Sequence, residues 1–407
     1  MRKDLRLTRR AVGAFVTIAV VAIAGQGAFE RTAIADDPIV VDCASLPNPT
    51  YAAGSSAIKN VLAGLATKLA AEATPTTIVY KSTGSCDGVN TIIAGLKVTG
   101  TASYWKDGTE TTCNLDVAGQ AVNLGMADVF PTSCPDVTAD LLDGFGDFAG
   151  PVQSMNIVVP KSAKQTTISA EAAYLTFGLG ATGKTDWDNK DLYAIRNFQS
   201  GTETMIAGAI NVPTNKWLGT DSGSGGGVIK AVGSPTGDVD KTIGILSSSD
   251  ADANRTTIKR LAFQPYNEVC ALYPDSSYAS TDKANVRNGL YQIWGPLHML
   301  AAVDGSGAAS DAKAAALLDI LLEKTKIADV DVADIEIKAH TVPQCAMKVQ
   351  RTSELGTPKA YNPAGQCGCY MESIVGDPDA AGCKACTSAA QCTSAAPACN
   401  RGFCEVK

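Results

Sequence analysis

Four stretches rich in glycine, serine and threonine each run directly into a helix-like apolar pattern. They are residues 53–57 before 58–62, residues 82–88 before 89–93, residues 199–202 before 203–206, and residues 222–227 before 228–230. The first turn of a helix leaves backbone N–H groups without partners and carries a partial positive charge. Small residues let an anion approach those donors, and serine or threonine hydroxyls add hydrogen bonds. A single turn of this kind is explained by N-capping alone. Four in one chain exceed what capping requires. If they converge, they make a site for a small oxyanion that needs neither a metal nor a histidine, and the chain has only two histidines.

The elements that would carry these turns read as α/β. Strand patterns fall at residues 77–80, 121–125, 155–160, 192–195 and 242–246, and helix patterns at 56–71, 88–96, 203–209 and 312–324. At 407 residues the chain suits two to three compact units, and a 45% apolar, 18% charged composition argues against disorder. The formal net charge of −7 leaves no overall basic surface for nucleic acid.

The N-terminus reads as an export signal. Arg2, Lys3, Arg6, Arg9 and Arg10 precede an apolar run over residues 11–25 that is too short for a stable membrane anchor. Ala33-Ile34-Ala35 then offers a cleavage site, which would begin the mature chain at Asp36. Sec export is the plainer reading; Thr8-Arg9-Arg10 faintly resembles a twin-arginine signal. Removing residues 1–35 takes away six basic and two acidic residues, leaving 28 basic against 39 acidic, a charge of −11.

Thirteen cysteines fit an oxidising compartment. Eight of them (Cys345, Cys367, Cys369, Cys383, Cys386, Cys392, Cys399 and Cys404) crowd the last part of the chain, in a segment with little aliphatic periodicity that disulfides would have to hold together. Composition therefore draws a boundary near residue 345. Eight can pair among themselves, so the odd thiol is one of Cys43, Cys86, Cys113, Cys134 and Cys270. The close pair Cys367 and Cys369 reads as two separate bridge ends. Export and the lack of a nearby histidine favour disulfides over zinc for the whole cluster.

Other signals point away from catalysis. Gly178-x4-Gly183-Lys184-Thr185 satisfies the P-loop pattern, but a helix precedes it and a turn at residues 186–189 follows it, the reverse of what a P-loop needs. His298 lies in an apolar stretch and reads as a packed core residue. No nucleophile elbow or paired-carboxylate signature is found, so no enzyme, cofactor or metal site is expected.

In order and wording these segments resemble the periplasmic phosphate-binding proteins of ABC phosphate importers, which are type II periplasmic binding proteins. The resemblance rests on Gly54-Ser55-Ser56-Ala57, on Thr83-Gly84-Ser85-x2-Gly88-Val89, on Val122 to Asp128, on Gly183-Lys184-x2-Trp187-Asp188, and above all on Arg196-x3-Ser200-Gly201-Thr202. Tyr291-x2-Trp294-Gly295-Pro296 adds a late apolar block, and the likeness spans about residues 45 to 345. It implies a two-lobed α/β fold whose chain crosses twice between lobes. One lobe would hold residues 38–147 and 262–345, the other 148–261, with a cysteine-rich segment at 346–407. It also implies a ligand set. Ser85 would donate its hydroxyl and amide, Asp128 would accept a proton of phosphate, Arg196 would make the charge-assisted contact, and Ser200, Gly201 and Thr202 would donate from a helix start.

The chain also departs from that pattern. Ile58 and Lys59 stand where the family has threonine and phenylalanine, so the first hydroxyl would come from Ser55 or Ser56, and Lys59 could add a positive charge. Phe198 stands where an acidic partner of the arginine is frequent, and Cys86 occupies a loop position kept small elsewhere. The resemblance with these departures thus implies phosphate or another tetrahedral oxyanion as the ligand. The resemblance implies a periplasmic or cell-surface monomer serving an ABC permease. Two other readings are a secreted interaction protein on the same scaffold, prompted by the cysteine-rich segment, and a hydrolase. Deleting residues 346–407 is expected to leave binding unchanged.

Overall fold

The computed structural model describes residues 41–180, 183–379 and 381–406. The expected export signal at residues 1–35 lies outside them. No helix among the described residues is long and apolar enough to cross a membrane.

The strands in chain order are β1 Val41–Asp42, β2 Pro49–Gly54, β3 Thr77–Ser82, β4 Thr101–Lys106, β5 Thr109–Asn114, β6 Leu124–Ala127, β7 Phe145–Pro160, β8 Thr167–Ser169, β9 Tyr193–Ile195, β10 Thr220–Asp221, β11 Ile243–Ser247, β12 Ile258–Arg260, β13 Ala262–Gln264 and β14 Trp294–Ala302. All but two build a mixed sheet in the order β1-β5-β4-β3-β2-β6-β14-β7-β11-β9-β10, with β12 also on β7, while β8 and β13 pair with each other apart from it. The helices that matter to the site are α1 Lys59–Leu69, α2 Ser85–Ile93, α3 Ala170–Ala173, α4 Gly201–Ile210, α5 Gly225–Gly233 and α6 Ser248–Ala253.

Strand β7 joins the two parts of this sheet. It is 16 residues long, and everything from Gly150 to Pro160 is buried. Such continuous burial marks a strand covered on both faces, and it takes in the polar Gln153, Ser154 and Asn156 as well as apolar residues. Its first ten residues pair with β14, from Trp294 opposite Ser154 to Ala302 opposite Phe145. Its end pairs with β11 at Met155 to Val158 and with β12 at Val158 to Pro160. Helix α1 shows how the flanking layer is attached. Val61, Leu62, Leu65, Ala66 and Leu69 fall on one face at helical spacing and pack with Ile78, Tyr80, Leu124 and Met299 of the sheet.

Expected elements are present with shifted ends. The helix expected at 88–96 begins at Ser85, because Gly88 sits inside its first turn, and it stops at Ile93 before Gly95 adopts a φ of +62°. The strand expected at 121–125 is β6, because burial begins only at Leu124, while Asn123 uses its side chain to accept the Tyr51 N–H at 2.9 Å. The P-loop-like segment does follow a helical stretch, α3 continued as a wider helical turn over Tyr174–Gly178.

The cysteines divide as their positions suggest. Cys345–Cys367, Cys369–Cys383, Cys386–Cys399 and Cys392–Cys404 close the C-terminal segment on itself. Cys43–Cys113 and Cys86–Cys134 lie in the larger part, and Cys270 is the exposed free thiol. The C-terminal segment changes composition at residue 345 but not packing. Met347, Cys367 and Met371 are buried in the same apolar cluster as Trp294 and Ile337. The Arg351 guanidinium lies 4.2 Å from the centre of the Trp294 ring and donates to the Trp294 carbonyl at 2.7 Å.

Candidate functional site

Three of the four glycine- and serine-rich helix starts meet the strand ends at one place. Ser55, the cap ahead of α1, donates through Oγ to Asp128 Oδ2. Ser85, the first residue of α2, donates to the same oxygen at 3.4 Å and accepts the Asp128 N–H at 3.1 Å. Asp128 follows directly on β6, so the strand delivers its carboxylate between the two serines. At the start of α4, Ser200 accepts the Glu203 N–H as the N-cap. Gly201 comes so close to the other two elements that a Cβ there would collide with Ser85 Oγ and lie 3.0 Å from Asp128 Cβ. Only glycine permits that approach. Thr202 follows in the same turn and is buried.

Arg196 enters at the end of β9. It is 4% exposed, and its Nη1 donates to Ser56 Oγ at 3.3 Å while Nη2 donates to the Gly223 carbonyl at 3.3 Å. It therefore ties the first turn to the fourth. Among the described residues, Asp128 Oδ1 and Arg196 Nε are buried with no hydrogen-bond partner. A buried anion and a buried cation each keep an unused polar atom in the same site. Unpaired buried groups of this kind are costly, and a ligand that reached both atoms would satisfy them.

Burial pushes the Asp128 carboxyl up to about 6, against the lowering pull of Ser55, Arg196, Ser85 and His298. Burial also lowers Arg196 from the ordinary guanidinium value, opposed by Asp221, Asp128, Asp250 and Glu203. Glu203 accepts the Arg196 backbone N–H at 3.1 Å, and burial raises its carboxyl to about 8.

The sequence-derived residues Ser56, Ser85, Asp128, Arg196, Ser200, Gly201 and Thr202 thus occupy adjoining strand and helix ends. Lys59 stands beside them on α1, held by Glu110 at 2.5 Å. Phe198 is 48% exposed, and the acidic neighbours of Arg196 come from Glu203 and Asp221 instead. Sequence reasoning missed Ser55 as the Asp128 partner, and it missed Asp250 and Glu203 altogether. Residues 247–250 do form another serine-rich turn that opens a helix, but that pattern marks the helix start and not the approach of Asp250 to the site.

Cys86 is explained by its bridge. The Cys86–Cys134 disulfide fastens the start of α2 to the loop after Asp128, so it stiffens the relation between Ser85 and Asp128. Replacing both cysteines by serine frees a 48-residue separation and is expected to cost about 4 kcal/mol of stability. Denaturant unfolding under non-reducing conditions measures this, and a loss below about 1 kcal/mol would show the bridge to be passive.

No protein-family model matches the chain, and no curated protein sequence matches it. Solved structures do. A Clostridium perfringens protein assigned as a phosphate ABC-transporter substrate-binding protein, solved with bound phosphate, superposes with a TM-score of 0.51 at 15% identity, covering 73% of this chain and 99% of its own. An ABC-type phosphate transport receptor from Vibrio cholerae gives 0.45 at 15% identity over 72% of this chain and 99% of its own. A DING protein gives 0.48 at 13% identity over 73% and 90%. The Clostridium likeness, together with the strand order and the helix starts gathered at the strand ends, shows that this chain has the type II periplasmic binding fold, with a disulfide-rich C-terminal segment added.

Proposed function

We propose that this protein is an exported solute-binding protein that captures phosphate between two lobes and presents it to an ABC permease. The lobes would be residues 38–147 with 262–345, and residues 148–261. Ser85 and Asp128 would reach the ligand from the first, and Arg196, Ser200, Gly201 and Thr202 from the second. Ser56 would contribute through its contact with Arg196. The protein would act as a monomer, and it would bind its ligand without converting it.

The observation that carries this reading is the buried pair of unused atoms, Asp128 Oδ1 and Arg196 Nε. Phosphate near neutral pH is an anion that still holds a proton. It can accept from the guanidinium and the helix starts while it donates to the carboxylate. Sulfate has no proton to give and would set its charge against Asp128. A site built to hydrogen-bond one group rejects the analogue lacking it, because its own polar atom is then stranded.

The test is calorimetry on the mature chain, stripped of endogenous ligand, with phosphate, arsenate, sulfate and molybdate. Micromolar or tighter phosphate binding, with sulfate excluded, is the expected result. Sulfate binding with phosphate excluded would overturn the role of Asp128. Failure of every oxyanion to bind would leave the interaction-protein reading in its place.

A further inference from the structure

A second carboxylate stands beside this site, and the inference drawn from it rests on the phosphate-binding reading. Strand β11 ends at Ser247 and passes straight into α6, where Ser247 Oγ accepts the Asp250 N–H at 3.1 Å. That turn aims the Asp250 side chain at the start of α5. A Cβ on Gly225 would collide with Asp250 Oδ2 and would lie 3.5 Å from Ser56 Oγ. Ser56 Oγ is the group that accepts from Arg196 Nη1. Asp250 is only partly buried, and with Ser56, Lys59, Asn60, Ser224 and Gly226 it lines a cavity of about 380 Å³.

Its charged surroundings come from four elements. Arg196 faces it from the end of β9, Asp128 from the end of β6, and Lys59 from α1, the last paired with Glu110 of β5. Burial pushes the Asp250 carboxyl up to about 6. Asp128 acts in the same direction, and Ser247, Arg196 and Lys59 oppose it. Above that range the cleft presents two carboxylates to one guanidinium, since Lys59 is engaged by Glu110. A fully charged dianion would face both carboxylates with one proton to share between them.

We propose that Asp250 is a second proton acceptor of the binding cleft, so that phosphate is held with two protons, as the monoanion, and binding from mildly alkaline solution takes up one proton. The hydrogen phosphate dianion brings one proton, and the buffer supplies the second. The count is the same whether that proton rests on phosphate or on a carboxylate. Asp128 selects a ligand that can donate once; Asp250 demands that it donate twice. The position of Asp250 at the third residue of α6 would by itself make it a helix-capping group. A capping role affects stability and leaves the proton count of binding unchanged.

The experiment is phosphate calorimetry on the full mature chain in mildly alkaline buffers of different ionisation enthalpy, for the wild type and Asp250→Asn. The wild type is expected to take up close to one proton, with affinity falling about tenfold per pH unit. Asp250→Asn is expected to bring uptake near zero and to flatten that slope, which separates this proton from any taken by Glu203. Phosphate binding by the wild type without proton uptake overturns the proposal while leaving the phosphate-binding reading intact, and needs no variant. Unchanged uptake in Asp250→Asn also overturns it. Absence of phosphate binding in the wild type overturns both.

Discussion

Arg196→Ala is expected to weaken phosphate binding by about 3–5 kcal/mol, roughly two to four orders of magnitude in affinity. Three effects act together. The ligand loses a charge-assisted partner in a site from which water is largely excluded, where such contacts are strong. Asp128, Asp250 and Asp221 lose the cation that all three face, so the cleft becomes more negative toward an anion. The Ser56 and Gly223 contacts that the guanidinium links also come apart. Arg196→Lys should recover only part of the loss, because a compact ammonium lacks the planar fork that reaches Ser56 and Gly223 from separate nitrogens. Calorimetry with circular dichroism as a folding control reads the result. A loss below tenfold in a folded Arg196→Ala protein would remove Arg196 from the ligand.

Deleting residues 346–407 is expected to destabilise the whole protein by more than about 3 kcal/mol, an effect separate from the unchanged binding expected from the sequence. The reason is Arg287, which is 4% exposed and depends on this segment for its partners. Its Nη1 pairs with Glu372, Nη2 donates to the Gly368 carbonyl at 3.2 Å, and Nε donates to the Ala346 carbonyl at 3.2 Å. Removing those acceptors leaves a guanidinium in the core without its counter-charge. The deletion also bares one face of Trp294, and it takes Glu354 away from the Phe130 N–H, which it accepts at 3.3 Å two residues beyond Asp128. The single substitution Glu372→Ala isolates the first effect and should cost about 3 kcal/mol by thermal unfolding. A deleted protein as stable as the full chain would return the segment to the role of an appendage.

What could be read from the sequence was what is local. Ser55, Ser200 and Ser224 announce helix starts because capping depends on a few consecutive residues, and Ser85 stands just inside the start of α2. Asp128 was legible only through the resemblance of residues 122–128 to a family strand that ends in an aspartate, while the crowded C-terminal cysteines stood out by position as a group able to pair internally. What could not be read depends on approach across the fold. Asp250 matters because α5 comes against it, and nothing in residues 247–250 says so. Glu203 is an unremarked helix residue until burial raises its carboxyl. Arg351 and Glu354 lie in a segment whose composition speaks of loops, and their partners are Trp294 and Phe130. The pairing of β14 between β6 and β7 likewise follows from no periodicity of its own.

That placement of β14 sets the order in which the molecule can be completed. A strand at the middle of the sheet is supplied by residues 294–302, while its neighbours β6 and β7 end by Pro160. Until about three quarters of the chain is available, the sheet has a gap at its centre, with unpaired edges on both sides. Contacts over such separations close slowly, because chain entropy is lost before they are rewarded. The central sheet is therefore expected to close late, once residues 294–302 are available to insert as β14.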